Sequence, residues 1–337
     1  MSTINSKVDQ YGFQREDDFD YETYERFMSE YLVVLARRAV KWDKVIDPEH
    51  RTRKSLRVKR YCRKGVPSSQ RAQVWFDVSG ARKRWKHGRG VYKRMLESTK
   101  NEQVIESIRT DLHRTFPENV HFGDDLSSKK EALFNVLSSY AHYNPTVGYC
   151  QGFNYIVALL LLVVKQEEHV FWLLDVLVTK KLPDYYGYQM QGLRVEQAVL
   201  EELLGWKNPA LAEHMKRNGV DIAIPCTKWF ICLYTDVLPT ETVLRIWDCL
   251  FYEGSKVLLR VALTLLLMNE QKLLACKDFV ALCEGFKNIT KGSETIDCHN
   301  FMEKCFSLPG SLPQRKIDKL RSKKQETLTT TAGASSS

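Results

Sequence analysis

The sequence predicts an all-α protein, and three observations support this fold class. Apolar residues recur with the 3.6-residue period of an α-helix along most of the chain beyond Pro67. No hairpin turn joins two segments of alternating polarity, as paired β-strands would require. No repeat of 20–50 residues is visible, which argues against a solenoid or a propeller.

The N-terminal part is predicted to hold one amphipathic helix between two charged stretches. Residues 1–20 are polar and acidic towards their end. Residues 21–42 carry apolar side chains at helical spacing, and residues 51–64 are strongly basic. The acidic cluster consists of Glu16, Asp17, Asp18 and Asp20.

The later helices are predicted from the same spacing together with cap signals. Ser128 and Glu131 form a capping-box pattern, and Pro145 closes the helix that follows. Residues 151–164 and 169–178 are apolar on several sides, so we expect them in a core. The other predicted helices cover residues 68–79, 101–115, 194–204, 211–218, 228–234, 240–252 and 256–269.

Basic residues are concentrated in one segment of the chain. The whole sequence has 50 Lys and Arg against 41 Asp and Glu, a net charge of +9. Residues 37–100 alone hold 21 basic and five acidic residues, or +16, so the remainder carries −7. A basic segment of this kind favours an acidic partner, which can be nucleic acid, an anionic membrane surface or an acidic protein face.

Several functional classes are excluded by missing signals. The nine cysteines include no C-x-x-C pair, so we expect reduced thiols and no metal site. The longest apolar run, residues 156–164, is far shorter than the roughly 20 residues of a bilayer crossing. With no signal peptide at its N-terminus, the chain is expected to be cytoplasmic. No phosphate-binding loop, nucleophile elbow or zinc-protease motif indicates independent catalysis.

Three short motifs carry the functional signal. They are R-x-x-x-W at Arg71 and Trp75, I-x-x-D-x-x-R at Ile108, Asp111 and Arg114, and Y-x-Q-G at Tyr149, Gln151 and Gly152. In this order they resemble the signature motifs of the TBC (Tre-2/Bub2/Cdc16) family of Rab GTPase-activating proteins. The resemblance runs from about Arg63 to Met268.

The resemblance implies a fold, a partner and a mechanism. It implies a TBC-type domain of two helical subdomains with a groove for a small GTPase. The partner would be a GTP-bound Rab, with Arg114 as arginine finger and Gln151 as glutamine finger. The protein would need no cofactor of its own, because GTP and Mg²⁺ are bound by the partner. The supporting residues would be Asp111, Tyr149, Gly152, Asn154, Arg71 and Trp75.

Elementary chemistry agrees with these two assignments. GTP hydrolysis develops negative charge that an arginine supplied in trans can neutralise. The i, i+3 spacing puts Asp111 on the same helix face as Arg114, where it can orient that arginine or another basic side chain. A glutamine amide such as that of Gln151 offers a donor and an acceptor, enough to hold a water against a phosphate.

The resemblance, together with charge, periodicity and composition, divides the chain into four parts. Residues 1–60 form an acidic, then basic segment with one amphipathic helix, and residues 61–275 form the TBC domain. Residues 276–320 are expected to be a helical extension, and residues 321–337 a disordered tail.

Two other functions stay open at this stage. A non-catalytic Rab-binding module could share the fold, and the basic segment could bind nucleic acid, although no nucleic-acid-binding module is recognisable. Taken alone, Arg114 is an ordinary surface charge and Gln151 an ordinary surface amide. We expect no nucleic-acid partner and no transmembrane segment. We expect the basic charge to pair in part with the acids at 16–20, and association with endomembranes to be peripheral, through the Rab.

Overall fold

The computed structural model describes residues 7–15, 17, 19–47, 49, 51–124 and 127–334. Within these ranges the chain is built from helices, and β-pairing is limited to isolated bridges. The all-α prediction is therefore confirmed. None of the described helices is both long and apolar enough to cross a bilayer.

The chain divides into two compact units, Met1–Lys181 and Leu182–Ser337. The division falls inside the predicted domain of residues 61–275. In the first unit the helices are α1 Tyr21–Asp43, α2 Leu56–Lys64, α3 Ser68–Ser79, α4 Ala81–His87, α5 Val91–Glu97, α6 Glu102–His113, α7 Ser128–Tyr143, α8 Phe153–Val164 and α9 Glu167–Val176, followed by a π-helical turn at Leu177–Lys181.

The second unit is also helical over its described residues. Its helices are α10 Gln191–Lys207, α11 Pro209–Arg217, α12 Ala223–Ile231, α13 Thr240–Glu253, α14 Lys256–Met268, α15 Glu270–Leu274, α16 Phe279–Asn288, α17 Ser293–Ile296, α18 Cys298–Ser307 and α19 Gln314–Ala334. The predicted helix over 228–234 lies earlier in the chain, because Leu233 and Tyr234 have positive φ angles that end α12.

The core of the first unit lies where α7, α8 and α9 pack against one another. The ring of Tyr140 on α7 contacts Phe153 on α8 and Phe171 on α9, with centroid distances of 6.1 and 5.9 Å. All three rings are fully buried. Burial of side chains of this size contributes about 1.5–3 kcal/mol each, so this cluster fixes α8, which begins directly after Gly152.

One predicted cap is wrong by one residue. The N-cap of α7 is Ser127, whose hydroxyl accepts from the amides of Lys129 and Lys130. Ser128 already belongs to the helix, so it cannot form the expected capping box with Glu131. The backbone of Ser127 is extended, as an N-cap residue requires.

The basic stretch contains a second helix that the periodicity did not indicate. Ser55 caps α2 by accepting from the amide of Val58, and Gly65 ends it with a φ of 110°. Only Val58 and Cys62 of α2 are buried. An apolar stripe of two residues one turn apart is too narrow to stand out among so many charges.

The expected disordered tail is wrong for residues 321–334, which continue α19. Arg321 donates from Nε and Nη2 to the two carboxylate oxygens of Glu196 at 2.8 and 2.6 Å. Lys324 pairs with Glu202 at 2.8 Å. Both partners lie on α10, more than a hundred residues earlier, so local composition gave no sign of the order.

Candidate functional site

Arg114 lies immediately beyond the end of α6. Asn101 caps the start of this helix, and Ile108 anchors it with no exposed surface. The amide of Arg114 donates to the carbonyl of Asp111 at 3.3 Å, which tightens the last turn. The helix ends at His113, before Pro117, and Phe116 in the segment between has a φ of 49°. A left-handed, non-glycine residue costs about 1–3 kcal/mol and persists only where its surroundings hold it.

The carboxylate of Asp111 joins two of the three sequence motifs. Its Oδ1 accepts from Arg114 Nε at 2.9 Å and from Nη2 at 2.6 Å, and its Oδ2 accepts from the hydroxyl of Tyr149 at 2.6 Å. The Asp111 side chain is 7% exposed, whereas that of Arg114 is 50% exposed. The arrangement fixes the arginine at its base and leaves much of the guanidinium open to solvent.

Tyr149 acts as a permanent hydrogen-bond donor in this cluster. Its pKa is raised far above the ordinary value for tyrosine, first by burial and then by its hydrogen bond to Asp111. The phenol therefore keeps its proton at any physiological pH.

Gln151 lies at the end of a tight loop, residues 144–152, which we name the Gln151 loop. The amides of Val147 and Gly148 both donate to the carbonyl of Asn144, at 3.2 and 2.8 Å. Gly148 and Gly152 have φ angles of 64° and 107°, which favour glycine over any residue with a Cβ. The loop exposes Gln151 between two buried neighbours, Cys150 and Gly152.

Buried hydrogen bonds connect the Gln151 loop to the segment that follows Arg114. The amide of Gly152 donates to Asn154 Oδ1 at 3.0 Å, and Asn154 Nδ2 donates to the hydroxyl of Thr115 at 2.8 Å. Thr115 Oγ1 in turn donates to the carbonyl of Asp111 at 2.6 Å. Asn154 and Thr115 are fully buried, so these bonds fix the backbone beside Arg114 relative to the backbone beside Gln151.

Tyr155 and Phe116, which the sequence did not single out, also hold the backbone beside Arg114. The hydroxyl of Tyr155 donates to the carbonyl of Arg114 at 3.3 Å, and the Tyr155 ring packs edge-on against Phe116 at 5.4 Å. Thr115 is the third residue missed. For Thr115 the available signal was its spacing of four residues from Asp111, whose carbonyl its hydroxyl bonds.

The first motif lies inside the protein. Trp75 has no exposed surface, and Arg71 is 1% exposed. Arg71 Nη1 donates to the hydroxyl of Tyr11 at 2.8 Å. These two residues therefore hold α3 to its neighbours and offer no side chain to a partner.

The charged groups of the site do not form a metal centre. Among the described residues, no cluster of His, Cys, Asp and Glu has the spacing needed to hold a metal ion. Asp111 is the buried carboxylate of the cluster, and it is occupied by Arg114 and Tyr149.

Comparison with known proteins decides the family. The family model of the Rab-GTPase-TBC domain matches residues 68–274, which include all three motifs. The chain belongs to this family. This TBC protein is 50% identical over 317 residues to growth hormone-regulated TBC protein 1-A of Danio rerio, and the match covers 94% of this chain and 89% of that protein.

Two other comparisons agree. The TBC protein is 48% identical over 320 residues to growth hormone-regulated TBC protein 1 of Homo sapiens, covering 94% of both chains. Its fold is similar to the crystal structure of the Chlamydomonas flagellar RabGAP TBC domain, with a TM-score of 0.77 and 33% identity over 89% of this chain and 99% of that one.

The basic segment of the TBC protein makes ion pairs along its own length. Arg51 pairs with Glu49 at 3.0 Å, and Arg82 pairs with Asp77. Asp20 serves a different purpose from the expected one, because its carboxylate caps α1 by accepting from the amide of Thr23 at 2.9 Å. The expected pairing with Glu16 and Asp18 lies outside the described residues.

Proposed function

We propose that the protein is a GTPase-activating protein for Rab GTPases that supplies Arg114 and Gln151 in trans. The observation that carries this proposal is the position of Asp111, which binds Arg114 with one oxygen and Tyr149 of the glutamine motif with the other. The two motifs thus form one hydrogen-bonded unit. GTP and Mg²⁺ belong to the partner, and the activity ends Rab signalling in membrane trafficking.

Arg114 would neutralise the negative charge that develops between the β- and γ-phosphates. Its half-exposed guanidinium is available to an incoming phosphate, while its attachment to Asp111 reduces the entropy lost when it binds. Arginine fingers of this kind contribute roughly 10³–10⁵ in rate.

Gln151 would hold the attacking water. It is exposed at the end of a loop whose backbone is fixed by Gly148, Gly152 and Asn154, so its amide can be presented without reordering the loop. One amide oxygen and one amide N–H suffice to accept from the water and to donate to a phosphate oxygen.

Phosphate release tests the proposal. GTP-loaded Rabs are screened with the full chain, and the responding Rab is then used with Arg114→Ala, Arg114→Lys and Gln151→Ala. Each variant is expected to lose at least about 100-fold in stimulated hydrolysis. The loss extends to Arg114→Lys because lysine cannot reproduce the planar fork of arginine.

Matched controls separate the fingers from general surface effects. Arg109 lies on the exposed surface of α6, and Gln103 is exposed in its first turn, so Arg109→Ala and Gln103→Ala remove the same chemistry nearby. Both controls should retain nearly full activity. Full activity in Arg114→Ala, or tight Rab binding by the unmodified protein without faster hydrolysis, would contradict the proposal and favour a non-catalytic binding module.

A further inference from the structure

Residues 7–15 form a compact N-terminal hairpin outside the residues matched by the family model. The hairpin closes through an antiparallel bridge between Val8 and Gln14 and a bond from the amide of Arg15 to the carbonyl of Lys7 at 2.9 Å. The carboxylate of Asp9 accepts from the amides of Tyr11 and Phe13 at 2.8 and 3.0 Å. These bonds give the hairpin a defined shape of its own.

The hairpin contacts residues 114–123, which we name the Arg114 loop. The amide of Val120 donates to the carbonyl of Gly12 at 2.9 Å, and Asn119 Nδ2 donates to the carbonyl of Tyr11 at 3.1 Å. Phe13 and Asn119 form an antiparallel bridge. Backbone and side chain of the loop are therefore both held by the hairpin.

Aromatic packing extends this contact to Phe116, whose positive φ angle is unfavourable for a non-glycine residue. The ring of Phe13 meets Phe116 edge-on at a centroid distance of 4.8 Å. Phe116 is also packed against Tyr155, whose hydroxyl donates to the carbonyl of Arg114. The positive φ of Phe116 needs support from its surroundings, and the hairpin supplies one side of that support.

Gly12 allows the close approach of the two segments. A Cβ at this position would lie 2.6 Å from His121 Cδ2 and 2.9 Å from both Asn119 Oδ1 and Val120 Cγ2. Its φ of 87° disfavours any other residue as well. The opposite side of the hairpin is fixed by the bond from buried Arg71 to the hydroxyl of Tyr11.

We propose that the N-terminal hairpin is a positioning element for Arg114, acting through the Arg114 loop. The inference rests on the proposed role of Arg114 in GTP hydrolysis. The hairpin touches no reacting atom. It restricts the backbone after Arg114, so that the guanidinium is presented in one orientation when the GTPase arrives.

Hydrogen exchange tests the contact itself, independently of any GTPase. Phe13→Ala removes the ring against Phe116, and we expect the Val120 amide to exchange about tenfold faster while the amides of α8 are unchanged. Gln14→Ala is the matched control, because Gln14 is exposed beside Phe13 and its backbone bridge is kept. Unchanged exchange at residues 115–123 in Phe13→Ala would overturn the proposal.

Kinetics test the positioning role. With a Rab that responds to the unmodified protein, Phe13→Ala should lower kcat about tenfold and change KM by less than about twofold. Phe13→Tyr keeps the ring and should restore most of the rate, and Tyr11→Phe, which removes the bond to Arg71, should give a smaller loss. A loss confined to KM, or failure of Phe13→Tyr to restore the rate, would overturn it.

The two proposals fail in distinguishable ways. If the unmodified protein stimulates no Rab, the proposed function fails, and the exchange experiment still decides whether the hairpin holds the loop. If Arg114→Ala abolishes activity and Phe13→Ala keeps the full kcat, the function stands and the hairpin has no positioning role.

Discussion

Asp111→Asn probes how much the orientation of Arg114 contributes to the proposed stimulation of GTP hydrolysis. Asparagine has the size of aspartate but no charge. Its oxygen can still accept from Arg114, and its NH₂ can donate to the Tyr149 hydroxyl, which is able to accept. The substitution therefore removes the charge of the ion pair and keeps the shape of the cluster.

The geometry sets the expected size of the effect. A hydrogen bond to a charged group contributes about 1.5–3 kcal/mol, and an exposed ion pair about 1 kcal/mol or less. The Arg114–Asp111 pair lies between these cases, because Asp111 is 7% exposed and Arg114 is 50% exposed. A loss of about 1–2 kcal/mol corresponds to a fall in kcat of roughly 5- to 30-fold.

Single-turnover phosphate release at saturating activator isolates this effect from binding. The concentration of activator at half-maximal rate should change little, because Asp111 is buried and offers almost no surface to a partner. Tyr149→Phe removes one neutral donor from the same carboxylate and should cost about fivefold or less.

A double-mutant cycle gives the decisive control. If Asp111 acts by orienting Arg114, then Asp111→Asn should have almost no further effect on the rate in an Arg114→Ala background. An unchanged kcat in Asp111→Asn, or a full additional loss in the double variant, would show that Asp111 does not act by orienting Arg114.

Three further predictions follow from charged groups outside the site. Arg321→Met should lower the unfolding free energy by about 3–5 kcal/mol, because it leaves the buried Glu196 without its ion-pair partner. Adding Glu196→Gln to that variant should recover part of the lost free energy, as measured by urea titration. Burial, with Lys54 and Lys180 nearby, lowers the pKa of Lys181 to about 8, so the unfolded chain binds more protons above that pH. The unfolding free energy of the unmodified protein should therefore rise relative to Lys181→Met by about 2 kcal/mol between pH 8 and 9.5. Changing four exposed arginines of the basic segment to glutamine should leave the hydrolysis rate of a Rab in solution within about twofold. The four arginines are Arg51, Arg53, Arg57 and Arg60.

Each of these has a clear contrary result. Equal stability of Arg321→Met and the unmodified protein would mean that α19 does not depend on the bond to Glu196. Parallel pH profiles for Lys181→Met and the unmodified protein would remove the assigned pKa. A collapse of hydrolysis after the arginine substitutions would place that surface in the contact with the GTPase.

The helices that could be predicted from the sequence are those that bury an apolar side chain at nearly every turn. The predicted range 68–79 equals α3, and residues 256–269 differ from α14 by one residue. In these helices successive turns present apolar side chains to the same core, so the period is visible in the chain. α4 and α5 were missed because they have seven residues each and one buried residue each.

Contacts between distant residues could not be predicted in the same way. The i, i+3 spacing of Asp111 and Arg114 indicated their pairing, but the second contact of Asp111, with Tyr149, spans 38 residues. The hairpin at residues 7–15 was missed because it lacks alternating polarity and is stabilised by Asp9 and by the Arg114 loop 108 residues away. The helical order of α19 beyond Arg321 was missed for the same reason, because its partner Glu196 lies 125 residues earlier in the chain.

In the proposed mechanism, Gln151 and Arg114 act on the chemical step rather than on binding. The most direct measurement compares hydrolysis and binding for Gln151→Ala with a Rab whose own residues are unchanged. We predict a loss of at least about 100-fold in stimulated phosphate release, with the affinity for the GTP-bound Rab within about threefold of the unmodified protein. Full hydrolysis by Gln151→Ala, or a loss explained entirely by weaker binding, would contradict it.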